Sequence, residues 1–200
     1  MVDYFELLGQ PRRPWLDPEI LKNKFLQASA QIHPDRVHGD SSKAKQQAQN
    51  TYTQLNTAYQ TLRAPKERLG HLLELETGHK PAAIQSAPGD LMNLFLEIGS
   101  VCRAADKFIQ ERGMVTSPLL RVGLFEKAEQ IAEKLRALRE LVGQRSEGAE
   151  KSLIALNTTW EGGGKDLGKL EESYRTFSYL ARWSEQLQER LVQLALRFSF

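Results

Sequence analysis

The sequence has very little cysteine, since Cys102 is the single cysteine among 200 residues. A disulfide within the chain is therefore excluded, and so is a metal or cluster site built from several thiolates. Long apolar runs are also missing, because no stretch approaches the ~20 residues that cross a bilayer. The N-terminal MVDYFELLGQ lacks the regions of a signal peptide. These absences predict a cytoplasmic protein.

An excess of charge of either sign is missing as well. Lys and Arg number 27 against 25 Asp and Glu, which leaves a net charge of +2. A balance so close to zero gives no long-range attraction to nucleic acid or to an anionic membrane. We therefore expect local binding surfaces, with neither nucleic acid nor membrane as a partner.

Helical periodicity runs through almost the whole sequence, and no segment has the alternation typical of a β-strand. Asp17 caps a predicted helix that ends near Ile32, because a residue that precedes proline is disfavoured in the α region. A second long helix restarts after Ser41 or Ser42 and is predicted to lie antiparallel to the first. The sequence thus predicts a helical hairpin with a long connection.

The rest of the chain is predicted to be helical too. A short helix opens at Pro65 and ends at Gly78, and HKPAAIQSAPG then has the composition of a linker. Three further apolar stripes at three- and four-residue spacing predict an antiparallel three-helix bundle, with EGGGKD joining the last two helices. We predict domains at 1–78 and 90–200, joined by a linker at 79–89.

The stretch SAQIHPDRVHGD lies in the long connection of the predicted hairpin. A catalytic dyad is disfavoured there, because Pro34 holds the side chains of His33 and Asp35 apart and no organised nucleophile lies nearby. The four histidines lack metal-ligand spacing, and EGGGKD lacks the Ser or Thr of a phosphate loop. We therefore expect no enzyme, no resident metal and no cofactor, and interpret the connection as a recognition element.

IHPDR between two antiparallel helices resembles the signature of a J domain. DYFELLG, FLQASAQIHPDR and LNTAYQTLRAPKERLGHLL follow one another in the order and spacing of that family. The chain is similar to the HscB-like J-proteins of iron–sulfur cluster assembly in three further features. It has an early DYF followed by LG, it has Arg68, Leu72 and Leu73 in the last helix of the J domain, and it has no Gly/Phe-rich region before the bundle. The resemblance implies an all-α fold, with an N-terminal J domain followed by a C-terminal three-helix bundle.

The resemblance also implies a co-chaperone that binds a DnaK- or HscA-type ATPase and stimulates its ATP hydrolysis. Asp35 would then engage an arginine of the chaperone, Pro34 would fix the loop and His33 would supply a hydrogen bond. The chaperone-binding residues implied in this way are His33, Pro34, Asp35, Arg36, Lys22 and Lys24. Family members usually carry Lys or Arg where this chain has ASAQI, so the basic face is thin and slower association is expected.

For the C-terminal helices, the resemblance implies that they bind an iron–sulfur scaffold protein as client. The implied client-binding residues are Leu91, Met92, Phe95, Leu96 and Glu97. An apolar stripe at helical spacing is more often core than binding surface. Two alternatives stay open: a J-domain co-chaperone for a different client, and a helical adaptor whose His-Pro-Asp loop is inert. The adaptor predicts that Asp35→Asn leaves every interaction unchanged.

Overall fold

The structure, a computed structural model, describes residues 2–32, 42–82, 84, 86–113 and 118–196. Over these ranges the chain is all-α, with seven α-helices and no β-strand, as the sequence predicts. The α-helices are α1 (Tyr4–Leu7), α2 (Pro18–Gln31), α3 (Ser42–Arg63), α4 (Pro65–Thr77), α5 (Met92–Gly113), α6 (Pro118–Glu161) and α7 (Leu167–Leu196). A 3-10 helix, Gly89–Leu91, precedes α5.

The chain forms two compact units, and each of them is discontinuous in sequence. The first unit comprises Met1–Ala83 and Glu150–Tyr174, and the second comprises Ile84–Ala149 and Arg175–Phe200. Helices α6 and α7 therefore contribute residues to both units. The domain boundaries given above follow linker composition and remain a prediction.

Helix α2 forms where its capping residues predict it. The carboxylate of Asp17 accepts hydrogen bonds from the amides of Glu19 at 2.9 Å and Ile20 at 3.0 Å, which satisfies donors that the first turn leaves free. Helix α3 packs against α1, α2 and α4. Between α2 and α3 the rings of Phe25 and Tyr59 stack with centroids 4.4 Å apart. The predicted pairing of these two long helices is confirmed.

Glycine is favoured at two positions, one within α4 and one at its end, for different structural reasons. Gly78 ends α4 with φ of +80°, in the left-handed region that residues with a Cβ avoid, so the predicted helix end is confirmed. Gly70 lies within α4, where a Cβ would come 3.1 Å from Cε2 of Tyr174. The absence of a side chain at Gly70 therefore lets α4 and the Tyr174 ring approach closely.

The second unit has one hydrophobic core, to which α5, α6 and α7 all contribute, so the predicted three-helix bundle is confirmed. Its largest fully buried side chains include Leu91, Ile98, Phe108, Leu135 and Leu180. Cys102 is also buried there, and burial raises the pKa of its thiol. A buried thiol that resists ionisation behaves as a small apolar side chain.

Helix α6 continues well beyond the apolar stripe that predicts its first part. In the sequence that stripe consists of Phe125, Ala128, Ile131, Leu135, Leu138 and Val142. The helix itself ends at Glu161, just before the glycines of EGGGKD. Beyond Val142 the buried apolar side chains of α6 are Leu153, Leu156 and Trp160, which belong to the first unit. The first part of α6 therefore packs in the core of the second unit and its last part in the first unit. A single apolar stripe cannot predict both parts.

Candidate functional site

The His-Pro-Asp motif follows α2, and His33, Pro34, Asp35 and Arg36 lie outside the described residues. What the structure gives is the hairpin on either side of the motif. Leu21 of α2 and Leu55 of α3 are 1% and 4% exposed, so the two helices have a buried apolar contact face.

The solvent face of α2 carries the two lysines to which the J-domain resemblance gives a role in chaperone binding. Lys22 and Lys24 are both exposed. The ammonium of Lys22 lies 3.9 Å from the carboxylate of Glu19, one turn earlier, with both side chains more than half exposed. Because an exposed pair of this kind is weak and screened by salt, Lys22 stays available to an external anion. The basic surface of α2 therefore consists of these two lysines.

Arg68 is a buried cation that holds two backbone carbonyls of the first unit. It is 3% exposed, and its guanidinium donates from Nε to the carbonyl of Pro14 at 2.8 Å and from Nη1 to that of Leu62 at 2.7 Å. Burial lowers the pKa of Arg68 to about 10, against the opposing effect of the Glu150 charge. The group stays protonated at neutral pH, and it joins the segment before α2 to the end of α3.

The short helix α1 is held against α4 by His71. The amide of Tyr4 donates to Nε2 of His71 at 3.1 Å, and the His71 ring stacks on that of Phe5 with centroids 5.8 Å apart. Nε2 must be unprotonated to accept this bond. Nearby, Asp3 caps α1 and accepts from Nε of Arg12 at 2.6 Å. Burial opposes the ionisation of Asp3, but the bond from Arg12 and the backbone amides together hold its pKa below the ordinary value.

We expect acidification below pH 6.5 to destabilise the protein through His71. Burial lowers the pKa of His71 below its ordinary 6.5, although the charges of Asp3 and Glu74 oppose this and that of Arg12 adds to it. The unfolded chain then binds the proton more readily, so this contribution is complete above pH 6.5 and is lost as the pH falls towards the folded-state pKa. Urea unfolding between pH 7.5 and 5 should show it.

The matched comparison for this pH effect is His71→Gln, whose amide oxygen can still accept the bond from Tyr4. The remaining histidines are common to both proteins, so a difference between the two pH profiles reports His71 alone. We expect a flatter decline for His71→Gln between pH 6.5 and 5. Parallel profiles would contradict the role given to His71.

The α5 residues assigned to client binding divide into core and surface. Leu91, which closes the 3-10 helix before α5, is 2% exposed and belongs to the bundle core, so it is not on an accessible surface. Met92, Phe95 and Leu96 are 40%, 43% and 60% exposed, and Glu97 beside them is exposed as well. Spacings of three and four residues put these three apolar side chains on one helix face. We call Met92, Phe95 and Leu96 the α5 face.

Phe95 is the member of the α5 face with a described contact to the rest of the bundle. Its ring lies 6.4 Å from that of Trp183, measured between centroids and tilted by 35°. Trp183 is 2% exposed, so it supports Phe95 from beneath. An aromatic side chain that is held from below and open above suits contact with an apolar partner surface.

Two contacts made by the end of α6 were not predicted from the sequence. The indole of Trp160 donates to the carbonyl of Arg12 at 3.0 Å, and Asn157 accepts from the amide of Trp15 at 3.4 Å. The available signal was a large aromatic residue just before the glycines of EGGGKD, where a solvated helix end would not need one. Nothing in the sequence indicates that the carbonyl of Arg12, far away in the chain, is the partner of this residue.

Metal and membrane features were sought in the same parts of the chain. Among the described residues, no group of three or more His, Cys, Asp or Glu side chains has the arrangement to hold a metal ion. None of the helices, as far as they are described, combines the length and apolar character that crossing a bilayer requires.

Residues 3–70 match the DnaJ domain family. The co-chaperone protein HscB of Proteus mirabilis is 40% identical over 75 residues, which cover 38% of this chain and 43% of that protein. An HscB homolog of Vibrio cholerae is 33% identical over 110 residues, which cover 52% of this chain and 64% of that protein. The chain thus spans less than two thirds of the length of these curated relatives.

A solved structure is similar over nearly the whole chain. The chaperone HscB from Vibrio cholerae superposes with a TM-score of 0.60, covering 96% of this chain and 99% of that one, at 22% sequence identity. At this identity the likeness concerns the fold. It extends through the helical C-terminal part, beyond the region that matches the DnaJ domain family.

Proposed function

We propose that this chain, whose residues 3–70 match the DnaJ domain family, is an HscB-like co-chaperone that binds a DnaK- or HscA-type ATPase and stimulates its ATP hydrolysis. The observation that carries the proposal is IHPDR at the end of α2, inside the region that matches the DnaJ domain family. The co-chaperone works by protein contact, without covalent chemistry of its own.

In the proposed contact, Asp35 accepts a charge-assisted hydrogen bond from an arginine of the ATPase. Pro34 restricts the backbone beside it, His33 supplies a hydrogen bond, and Arg36 adds electrostatic attraction. Lys22 and Lys24 on α2 contribute attraction during the encounter. Because the basic surface of α2 is small, we expect modest association rates and a weak dependence on salt.

The direct test of this function is ATP hydrolysis by purified DnaK-type chaperones, titrated with the wild-type chain under single-turnover conditions. We expect saturable acceleration of one of these chaperones. Absence of acceleration for every chaperone of the host would contradict the proposal, provided that a known J-domain protein accelerates the same preparations.

For the client, we propose an iron–sulfur scaffold protein that docks on the α5 face, with Glu97 at its edge. The exposure of Met92, Phe95 and Leu96 supports this, since neighbouring large apolar side chains on one surface are typical of interaction sites. Leu91 is left out of the contact and acts as core beneath it. The client thus meets the second unit, while the ATPase meets the first.

We expect the double variant Met92→Ser and Leu96→Ser to weaken scaffold binding more than tenfold, since each half-exposed apolar contact contributes about 1 kcal/mol or more at the centre of an interface. Isothermal titration calorimetry with the scaffold protein measures the Kd. Val192→Ser is the matched control, because Val192 is 42% exposed on α7 of the same unit.

Equal Kd values for the double variant and the Val192→Ser control would contradict docking on the α5 face. No binding of the scaffold by the wild-type chain would favour a J-domain co-chaperone with a different client. In both cases the ATPase assay above still decides whether the chain acts as a co-chaperone.

A further inference from the structure

The segment 8–17, which joins α1 to α2, has no regular secondary structure, so its backbone polar groups need partners elsewhere. Two of them are met by the end of α6. The carbonyl of Arg12 accepts from Nε1 of Trp160 at 3.0 Å, and the amide of Trp15 donates to Oδ1 of Asn157 at 3.4 Å. The segment before α2 thus depends on residues that lie far along the sequence.

The donors and acceptors of α6 are themselves fixed in place. Trp160 and Asn157 are 5% and 8% exposed. The amide of Asn157 donates to Oε1 of Glu161 at 2.8 Å, which leaves its oxygen for the amide of Trp15. Glu161 also pairs with the guanidinium of Arg13 at 2.6 Å. We call Asn157, Trp160 and Glu161 the α6 clamp.

The segment held by the α6 clamp leads directly into α2. Trp15 stands two residues before Asp17, the capping residue of α2, and Leu16 between them is 5% exposed. A displacement of the segment must therefore move the start of α2 or uncover Leu16. Lys22 and Lys24, which face the ATPase in the proposed function, lie on the first turns of this helix.

We propose that the α6 clamp positions α2 for its contact with the ATPase, and that Trp160 is a positioning residue for ATPase stimulation. The inference rests on the proposed function. Without the Nε1 donor, the carbonyl of Arg12 loses its buried partner and the segment before α2 opens more often. Only part of the population is then competent to bind, which raises the apparent Kd and leaves the rate of the bound complex unchanged.

Trp160→Phe tests the clamp, because it removes the indole donor and keeps an aromatic ring. Thr158→Ala is the matched control: Thr158 is exposed on the same helix, and its hydroxyl bonds to the carbonyl of Ile154 within α6. In Trp160→Phe we expect amide hydrogen exchange of peptides covering 8–21 to accelerate about tenfold, with 42–63 unchanged. Equal exchange in the two variants would overturn the proposal.

The second measurement is the titration of ATP hydrolysis with each variant, at a temperature where circular dichroism reports a folded protein. For Trp160→Phe the half-maximal concentration should rise about threefold to tenfold, with an unchanged maximal rate. For Thr158→Ala both quantities should match the wild type. A purely structural role of Trp160 predicts a lower melting temperature with an unchanged half-maximal concentration, and that result would overturn the positioning role.

The two proposals fail in distinguishable ways. If the wild-type chain accelerates no chaperone, the co-chaperone function is wrong, and the role of Trp160 in ATPase stimulation falls with it. The exchange experiment then still decides whether the clamp holds the segment before α2. If the wild-type chain accelerates hydrolysis and Trp160→Phe does so with the same half-maximal concentration, the clamp inference alone is wrong.

Discussion

Arg68→Met is expected to lower the free energy of unfolding by about 2–4 kcal/mol. This is the largest loss of stability that we expect from replacing one buried polar side chain. Methionine fills much of the space of the arginine stem but donates no hydrogen bond. The carbonyls of Pro14 and Leu62, now paired at 2.8 and 2.7 Å, would stay buried without a donor. Loss of the desolvated charge offsets part of the penalty, so the estimate stays below the cost of two lost charged bonds.

Urea denaturation at pH 7 measures this effect, with Lys66→Met as the control. Lys66 lies on the same helix and pairs with Glu67 at 3.2 Å, and both side chains are about half exposed to solvent. Removing the Lys66 charge should therefore change the free energy of unfolding by less than about 0.5 kcal/mol. Arg68→Lys should fall between the two, because a single ammonium cannot reproduce the fork that reaches both carbonyls. A stability of Arg68→Met within about 1 kcal/mol of wild type would contradict the role given to Arg68.

Asp35→Asn is expected to reduce ATPase stimulation more than tenfold while the melting temperature stays within about 2 °C of wild type. In the proposed contact the carboxylate accepts a charge-assisted bond from a guanidinium. The amide keeps the shape of the side chain but loses the charge and one of the two acceptor oxygens. Stimulation of ATP hydrolysis at saturating and subsaturating concentrations measures the loss.

Asp40→Asn controls for the change of net charge, because Asp40 lies in the same connection and the J-domain resemblance assigns it no contact. It should stimulate hydrolysis within about twofold of wild type. Equal stimulation by Asp35→Asn and wild type is the result that the inert-adaptor alternative predicts. It would also leave the role of IHPDR unexplained.

The elements that the sequence predicted well are those with local signals at both ends. For α2 the signals are the cap at Asp17 and the proline that follows its end, and for α4 they are Pro65 and Gly78. Caps, prolines and glycines act on neighbouring backbone, so each can be read without knowing the fold. The family resemblance rests on the same part of the chain, where residues 3–70 match the DnaJ domain family.

Which side of α5 faces inward was harder to predict. Leu91 and Leu94 are buried, but Met92 and Phe95, each one residue further along, are exposed and equally apolar. Two neighbouring stripes of apolar residues differ by only 100° around a helix, so periodicity alone cannot assign one of them to the core. Only the packing partners in the bundle decide which stripe is buried, so the predicted client-binding set combines the buried Leu91 with exposed residues.

The role of the end of α6 could not be predicted at all. Trp160 and Arg12 are 148 positions apart, and a bond between an indole and a backbone carbonyl leaves no pattern at either end of the sequence. Arg68 is a related case, since the family resemblance includes this residue but implies neither of its two carbonyl partners. Contacts to irregular backbone follow from tertiary structure, because any residue type can supply the carbonyl.

The measurement that tests the central claim most directly is single-turnover ATP hydrolysis by the host's DnaK-type chaperones, with the wild-type chain and with His33→Gln, each with and without a purified iron–sulfur scaffold protein. We predict that the wild-type chain accelerates hydrolysis, that the scaffold increases the acceleration, and that His33→Gln abolishes both effects. Acceleration that is equal for His33→Gln and wild type, or absent for every chaperone, would contradict the co-chaperone function.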